Sequence, residues 1–317
     1  MNDIEAVKPL IHDIRHNLGK LIKTEGENIY LIRGNTELAI ESVFHNFLNN
    51  TAKVLLIGSK ESIEYIEYIC GICNLKYDSI YMKDDVFPLE KINEALNNHY
   101  DAVYIPYAEM NSGVVYNIDI LKKNINLEHV LMIVNIEDSI LMNPIQLDDG
   151  LIDIVIGNTA VFESIYAFVG ISNKARKHLI STIDYFINYA KYDNYLSITA
   201  KWLDEYQVLY DTLLNINQLD MMEWYSYFSY LVAFIRTKIR TLGYHVVPYN
   251  NCSNAFIVIE VSNAEKVCEE LFNKYQIIVY TAYKDMHNNR IIINMRDFQS
   301  LLFCLKLLRA LRELDLK

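Results

Sequence analysis

Residues 53–82 read KVLLIGSKESIEYIEYICGICNLKYDSIYM, and the order of patterns within them decides the fold class. The stretch opens on a continuous apolar run, Lys53–Ile57. It passes into a helical period over Ser62–Cys73, with Ser59 or Ser62 as its N-cap, and closes on a second β-rich run, Tyr77–Met82. Apolar runs that do not alternate with polar residues suit strands buried on both faces of a largely parallel sheet.

The pattern repeats outward from there. Further strands are expected at Asn28–Arg33, Ala102–Pro106, His129–Asn135, Ile152–Ile156 and Ala167–Ile171. Helical periods fall at Glu37–Leu48, Leu89–Asn97 and Asp119–Asn124. Strand, helix, strand in succession implies a doubly wound α/β sheet of about seven strands with helices on both faces. The second half reads differently. Lys174–Ala190, Tyr195–Ile216 and Asp220–Leu242 are long helical periods without a glycine, and Gly243 stops the last. Strand Phe256–Val261, helix Ala264–Lys274, strands Ile277–Tyr280 and Arg290–Met295, and helix Phe298–Glu313 then form a small α+β unit. The expected division is a large α/β domain over 1–216 and a small C-terminal domain over 217–317, entered by a long helix.

Composition narrows the function classes. The chain has 317 residues, 52% of them hydrophobic and 22% charged, which is too apolar for disorder. Its 29 Lys and Arg against 40 Asp and Glu leave a formal charge of -11, which argues against a nucleic-acid or anionic-membrane surface. No apolar stretch reaches 18 residues; Trp224–Ile235 contains Ser226 and Ser229 and is followed by Arg236, Lys238 and Arg240. The N-terminus has neither a basic segment nor an apolar one, so no secretory signal is expected. Five cysteines cannot all pair in one chain and read as reduced thiols of a cytoplasmic protein.

Most chemical motifs are absent or weak. Cys70-Gly71-Ile72-Cys73 is a C-x-x-C, but no second pair follows at zinc spacing, and packed thiols are the simpler reading. His12 and His16 are spaced i,i+4 without the glutamate of an H-E-x-x-H motif, so a solvated helix face is expected. There is no G-x-G-x-x-G, P-loop or G-x-S-x-G, and only ten glycines. The helical stripe Tyr225, Phe228, Leu231, Val232, Ile235 is packing material.

One constellation in order along the chain carries more. Asn17–Glu41 resembles the opening helix, strand and G-S-G-T-x-A-x-E phosphate loop of the class V aminotransferases, the alanine–glyoxylate and aminoethylphosphonate transaminase group of fold-type-I pyridoxal-phosphate (PLP) enzymes. Glu109–Gly113 is similar to that family's E-T-S-T-G segment. His129–Pro144 is similar to its strand ending in D-x-x-S-S, Asp153–Ile156 to the strand before the Schiff-base lysine, and Arg290–Phe298 to its R-I-G-N-M-G-D strand. The chain is shorter than the family norm and is expected to lack the N-terminal segment that lies over the active site.

The resemblance implies a site, and position by position that site is altered. Such chemistry needs an imine-forming lysine, an aspartate on the pyridine nitrogen, a helix N-terminus for the phosphate, a stacking aromatic and a carboxylate-gripping arginine. The lysine position falls near Val161, within Asn158-Thr159-Ala160-Val161-Phe162, and no lysine occurs between Lys123 and Lys174. The aspartate becomes Asn135. The phosphate loop reads Gly34-Asn35-Thr36-Glu37, placing a carboxylate where a dianion would sit. The stacking aromatic maps near Ser62, the E-T-S-T-G segment carries Asn111, and the arginine maps to Ile291 with Arg290 displaced to the opposite strand face. The expectation is a degenerate pocket without cofactor or catalytic residue, in a non-catalytic binding, scaffold or regulatory subunit. Its partner would be itself or an active class V paralogue. The alternative is an active PLP-dependent aminotransferase or lyase acting on a small amino or keto acid, with pyridoxal 5'-phosphate as cofactor.

Overall fold

The computed structural model describes residues 3–82, 88–124, 129–147, 151–162, 164–180, 185–199, 202–282, 289–298 and 300–314. Seven strands build the larger sheet: β1 (Ile29–Arg33), β2 (Lys53–Gly58), β3 (Lys76–Tyr81), β4 (Ala102–Pro106), β5 (Leu131–Asn135), β6 (Ile154–Asn158) and β7 (Tyr166–Ile171). Their order is β1-β7-β6-β5-β4-β2-β3. Strands β3, β2, β4, β5 and β6 pair in parallel, whereas β7 runs antiparallel to both β6 and β1. The central strands are buried almost residue for residue, as their unbroken apolar runs require.

Helices Asp3–Ile22, Thr36–Phe47, Lys60–Ile72, Leu89–Leu96 and Ile118–Asn124 lie within the large unit. Ser59 caps Lys60–Ile72, its Oγ accepting from Ser62 N at 3.2 Å.

The long helical period expected over Lys174–Ala190 is not one continuous helix among the described residues, which exclude 181–184. A helix ends at Arg176, and a short 3-10 turn follows at Tyr189–Lys191. Asn46, fully buried, explains the difference. Its Nδ2 donates to Ile187 O and its Oδ1 accepts from Tyr189 N, while Ile180 N donates to Asn46 O. Those groups are taken by the neighbouring helix Thr36–Phe47 and not by a helical ladder. Tyr195–Ile216 is likewise two helices, Tyr192–Thr199 and Leu203–Asn217. Between them Trp202 lies under the Arg33 guanidinium, 4.1 Å from its ring centroid.

Helix Met221–Thr241 is capped by Asp220 and leads into a four-stranded antiparallel sheet of order β10-β11-β9-β8. These strands are β8 (His245–Val247), β9 (Phe256–Glu260), β10 (Tyr280–Thr281) and β11 (Arg290–Asn294). Gly243, at φ +89, lets the chain turn directly out of the helix into β8, a three-residue strand too short to read in sequence. The expected strand Ile277–Tyr280 pairs only from Tyr280 onward. Buried side chains form two clusters, one around the large sheet and one around the small sheet with helices Met221–Thr241 and Leu301–Leu314. No helix among the described residues is long and apolar enough to cross a membrane.

Candidate functional site

The chain continues from β2 to β3 on one side of β2 and returns to β4 on its other side, so the strand order reverses between β2 and β4. Ligands of open α/β sheets sit beyond the carboxyl ends of the strands at such a reversal. A cavity of about 360 Å³ occupies that place. Its walls come from the segments following β2, β4 and β5 and from the start of helix Thr36–Phe47.

The helix start is organised by Asn35, whose Oδ1 accepts from Leu38 N at 3.1 Å. Thr36 is buried behind this cap and Glu37 lines the cavity. Asn158, at the end of β6, donates to Thr36 Oγ1 at 3.3 Å and also to Glu137 Oε1. Its own Oδ1 accepts from Ala160 N.

After β5 the chain makes a tight turn. Asn135 Oδ1 accepts from Glu137 N at 2.9 Å, and Asn135 Nδ2 donates to the hydroxyl of the buried Tyr104 at 3.2 Å. The turn aims Glu137 and Asp138 at the cavity. Burial, reinforced by the Asp138 charge, pushes the Glu137 carboxyl up to about 7. Burial also raises Asp138, to about 6, against the opposing pull of Arg296. Arg296 follows β11; its Nη2 lies 3.9 Å from Asp138 Oδ1 and donates to Glu137 O at 2.7 Å.

Glu109 forms the third side. Only 3% exposed, it accepts at Oε1 from Ser59 N (2.6 Å) and Ser62 Oγ (2.8 Å), and at Oε2 from Ser112 Oγ (3.3 Å). Ser62, at the expected aromatic position, is thus tied to a carboxylate. With Glu61 the described residues of the cavity wall include five carboxylates, Glu37, Glu61, Glu109, Glu137 and Asp138, and no lysine or arginine.

The structure brings together Thr36, Glu37, Ser62, Asn111 and Asn135 around this cavity, with Asn158 joined to it through Thr36 and Glu137. It places the remaining candidates elsewhere. Asn35 lies on an adjacent pocket with Arg33 and Asn158. Thr159 is fully buried and donates to Tyr166 O at 2.6 Å, closing the β6–β7 hairpin. Val161 sits in the 3-10 turn Ala160–Phe162, packed against the large core and off the cavity wall. Ile291 is fully buried in the small core, and Arg290 is paired with Glu260 at 2.8 Å.

Sequence reading missed the Glu137–Asp138 pair, Tyr104 and Arg296. Two adjacent acids immediately after a buried parallel strand were a usable signal. Nothing local to Arg296 marks its reach across to the other unit.

Cys70 and Cys73 are free thiols, raised by burial to about 12 and about 11, so neither is an activated nucleophile. Cys73 Sγ lies 3.6 Å from His45 Nε2. Among the described residues no three His, Cys, Asp or Glu side chains converge on a metal position.

No family model and no curated protein matches the chain. Solved structures do match in fold. Ureidoglycine–glyoxylate aminotransferase from Bacillus subtilis superimposes with a TM-score of 0.86 at 15% identity, over 99% of this chain and 87% of that one. Alanine–glyoxylate aminotransferase from Nostoc sp. gives 0.83 at 16% identity, over 99% and 88%. Pyridoxamine–pyruvate aminotransferase from Mesorhizobium loti gives 0.82 at 14% identity, over 96% and 83%. These neighbours are class V aminotransferases. The seven-stranded, mostly parallel sheet with its small antiparallel C-terminal unit is therefore a fold-type-I PLP-transferase-like fold.

Proposed function

We propose that this chain is a class V aminotransferase-like protein that no longer holds PLP or transaminates, and that acts as a dimeric binding, scaffold or regulatory subunit. The observation that carries this reading is the charge of the cavity wall: five carboxylates and no lysine or arginine among its described residues. The phosphate of PLP is a dianion, and Glu37 stands at the helix start that would receive it. At ~4–5 Å and an effective dielectric near 20, each pair of unit charges repels by roughly 3–4 kcal/mol.

The other positions support the same reading. The Asn135 amide is already committed at both ends, to Tyr104 and to Glu137 N. Val161 supplies no amine. Lys174, the next lysine in sequence, donates to Val130 O and Asp153 Oδ2 at the opening end of β5. Asn135 marks the closing end, roughly 16 Å away at strand rise. These residues do not fit the cofactor, and no step is derived through it.

The fold itself speaks for the alternative, an active PLP-dependent aminotransferase or lyase, because its neighbours are aminotransferases. Absorbance of the purified chain with added PLP decides between them. A visible or near-ultraviolet band bleached by borohydride would sink the proposed reading. A dimeric assembly, as homodimer or with an active paralogue, is supported by the exposed Tyr65, Tyr68 and Ile72 on helix Lys60–Ile72 and Tyr77 and Tyr81 on edge strand β3. Light scattering at low micromolar concentration tests it, and a clean monomer of the chain alone leaves only the heterodimer.

A further inference from the structure

We propose that the cavity at the carboxyl ends of β2, β4 and β5 binds an organic cation, a diamine, polyamine or guanidinium compound. This rests on the reading that the cavity is closed to PLP.

Place and size come first. The cavity lies at the sheet's topological reversal, and about 360 Å³ is within the range of small-molecule sites. Charge comes second. Glu37 and Glu61 line it without accepting a hydrogen bond or forming an ion pair among the described residues. Asp138 has one ion-pair contact, the 3.9 Å approach of Arg296. Three carboxylates on one wall therefore retain free acceptor capacity in a space whose described lining residues include no lysine or arginine, Arg296 approaching Asp138 from outside that lining.

The rest of the wall selects the kind of cation. Because no three carboxylates among the described residues converge on one point, those residues offer a compact metal ion no polydentate seat. Charges spread around a cavity instead match a ligand with separated positive groups. Ile40, Ile66 and Met110 offer apolar surface to the methylenes between those groups, and Tyr65 and Tyr104 offer aromatic rings to an ammonium or guanidinium. The neighbouring Glu137 and Asp138 carboxyls are displaced upward chiefly by burial, and Arg296 opposes that displacement only in part.

Isothermal titration of the full chain at pH 7.5 with putrescine, spermidine, agmatine, magnesium and PLP in separate runs tests the proposal. At least one of the three amines should bind with a Kd below about 1 mM, and the double substitution Glu37→Gln, Asp138→Asn should weaken it roughly tenfold or more. Glu37→Gln alone, at a half-exposed position, should weaken it in the same direction if the double variant does not fold. No binding by any amine, affinity unchanged in the variants, or magnesium binding as tightly as the amines would overturn the proposal and leave the PLP-free reading standing. A borohydride-sensitive PLP band would overturn both.

Discussion

Arg296 Nη2 donates to the backbone carbonyl of Glu137 at 2.7 Å, so the segment after β11 in the small unit is pinned to the turn that carries the cavity's two most perturbed carboxyls. The guanidinium also lies 6.0 Å from the ring centroid of Phe256 on β9. One partly buried cation thus links the small unit to this turn and partly offsets the charge of the cavity wall.

Arg296→Ala should therefore destabilise the chain by about 2–3 kcal/mol at pH 7.5, the scale of a charge-assisted hydrogen bond lost from a buried site. The loss should be smaller at pH 5, where Glu137 and Asp138 are protonated and need no compensation. Urea denaturation at both pH values measures it. An equal loss at both would mean that packing, not charge, is what Arg296 supplies.

The pH dependence has a defined sign. Glu137 and Asp138 have folded-state values above those of free carboxyls, so the folded chain binds protons more tightly than the unfolded chain. Their contribution to stability should rise as pH falls from about 8 toward 5 and be lost as pH rises through about 6 to 7. Glu137→Gln should remove much of that slope and stabilise the chain above pH 7 by about 1–2 kcal/mol, allowing for solvent screening within the open cavity. Chemical denaturation of both forms across this range provides the comparison.

Asp153 offers a contrasting carboxylate. It is 3% exposed and satisfied by Met132 N at 2.9 Å, Ser172 Oγ at 3.3 Å and Lys174 Nζ at 2.9 Å. Lys174→Met strands that charge and should cost about 2–4 kcal/mol, somewhat below the usual figure for a fully buried pair because Lys174 is partly exposed. Changing Asp153 to Asn in the same chain should recover part of the loss. Thermal melts of the two variants test the coupling.

Glu37→Thr places a hydroxyl in the first turn of helix Thr36–Phe47. It should lower stability by only about 0.3–1 kcal/mol, the helix-dipole contribution of a first-turn carboxylate, because Asn35 remains as the cap. It should also let millimolar sulfate or phosphate raise the melting temperature, which the parent chain should not show. An equal response of both proteins to sulfate would remove Glu37 as the anion barrier.

Local pattern determined much of this protein. Continuous apolar runs placed all seven strands of the large sheet within a few residues, since burial on both faces leaves no polar alternation to blur them. Ser59, one of two cap candidates with Ser62, announced a helix start by side-chain chemistry that acts over three residues. Fold class was therefore legible from strand, helix and strand in succession, whereas Thr36, Glu37, Ser62, Asn111 and Asn135 were brought together only by the resemblance to class V aminotransferases.

What only the tertiary structure decided depended on partners distant in sequence. Residues 174–190 have helical spacing, yet Asn46 holds the backbone near Ile187 and Tyr189 from more than a hundred residues away. Val161 and Ile291 pack against the cores, where burying an apolar side chain is favourable. Glu137 and Asp138 became perturbed acids because Asn135 turns them inward to a buried place, where Arg296 from the small unit opposes the shift only in part. A titration state depends on the surrounding charge and solvent in three dimensions, and no linear spacing records that environment.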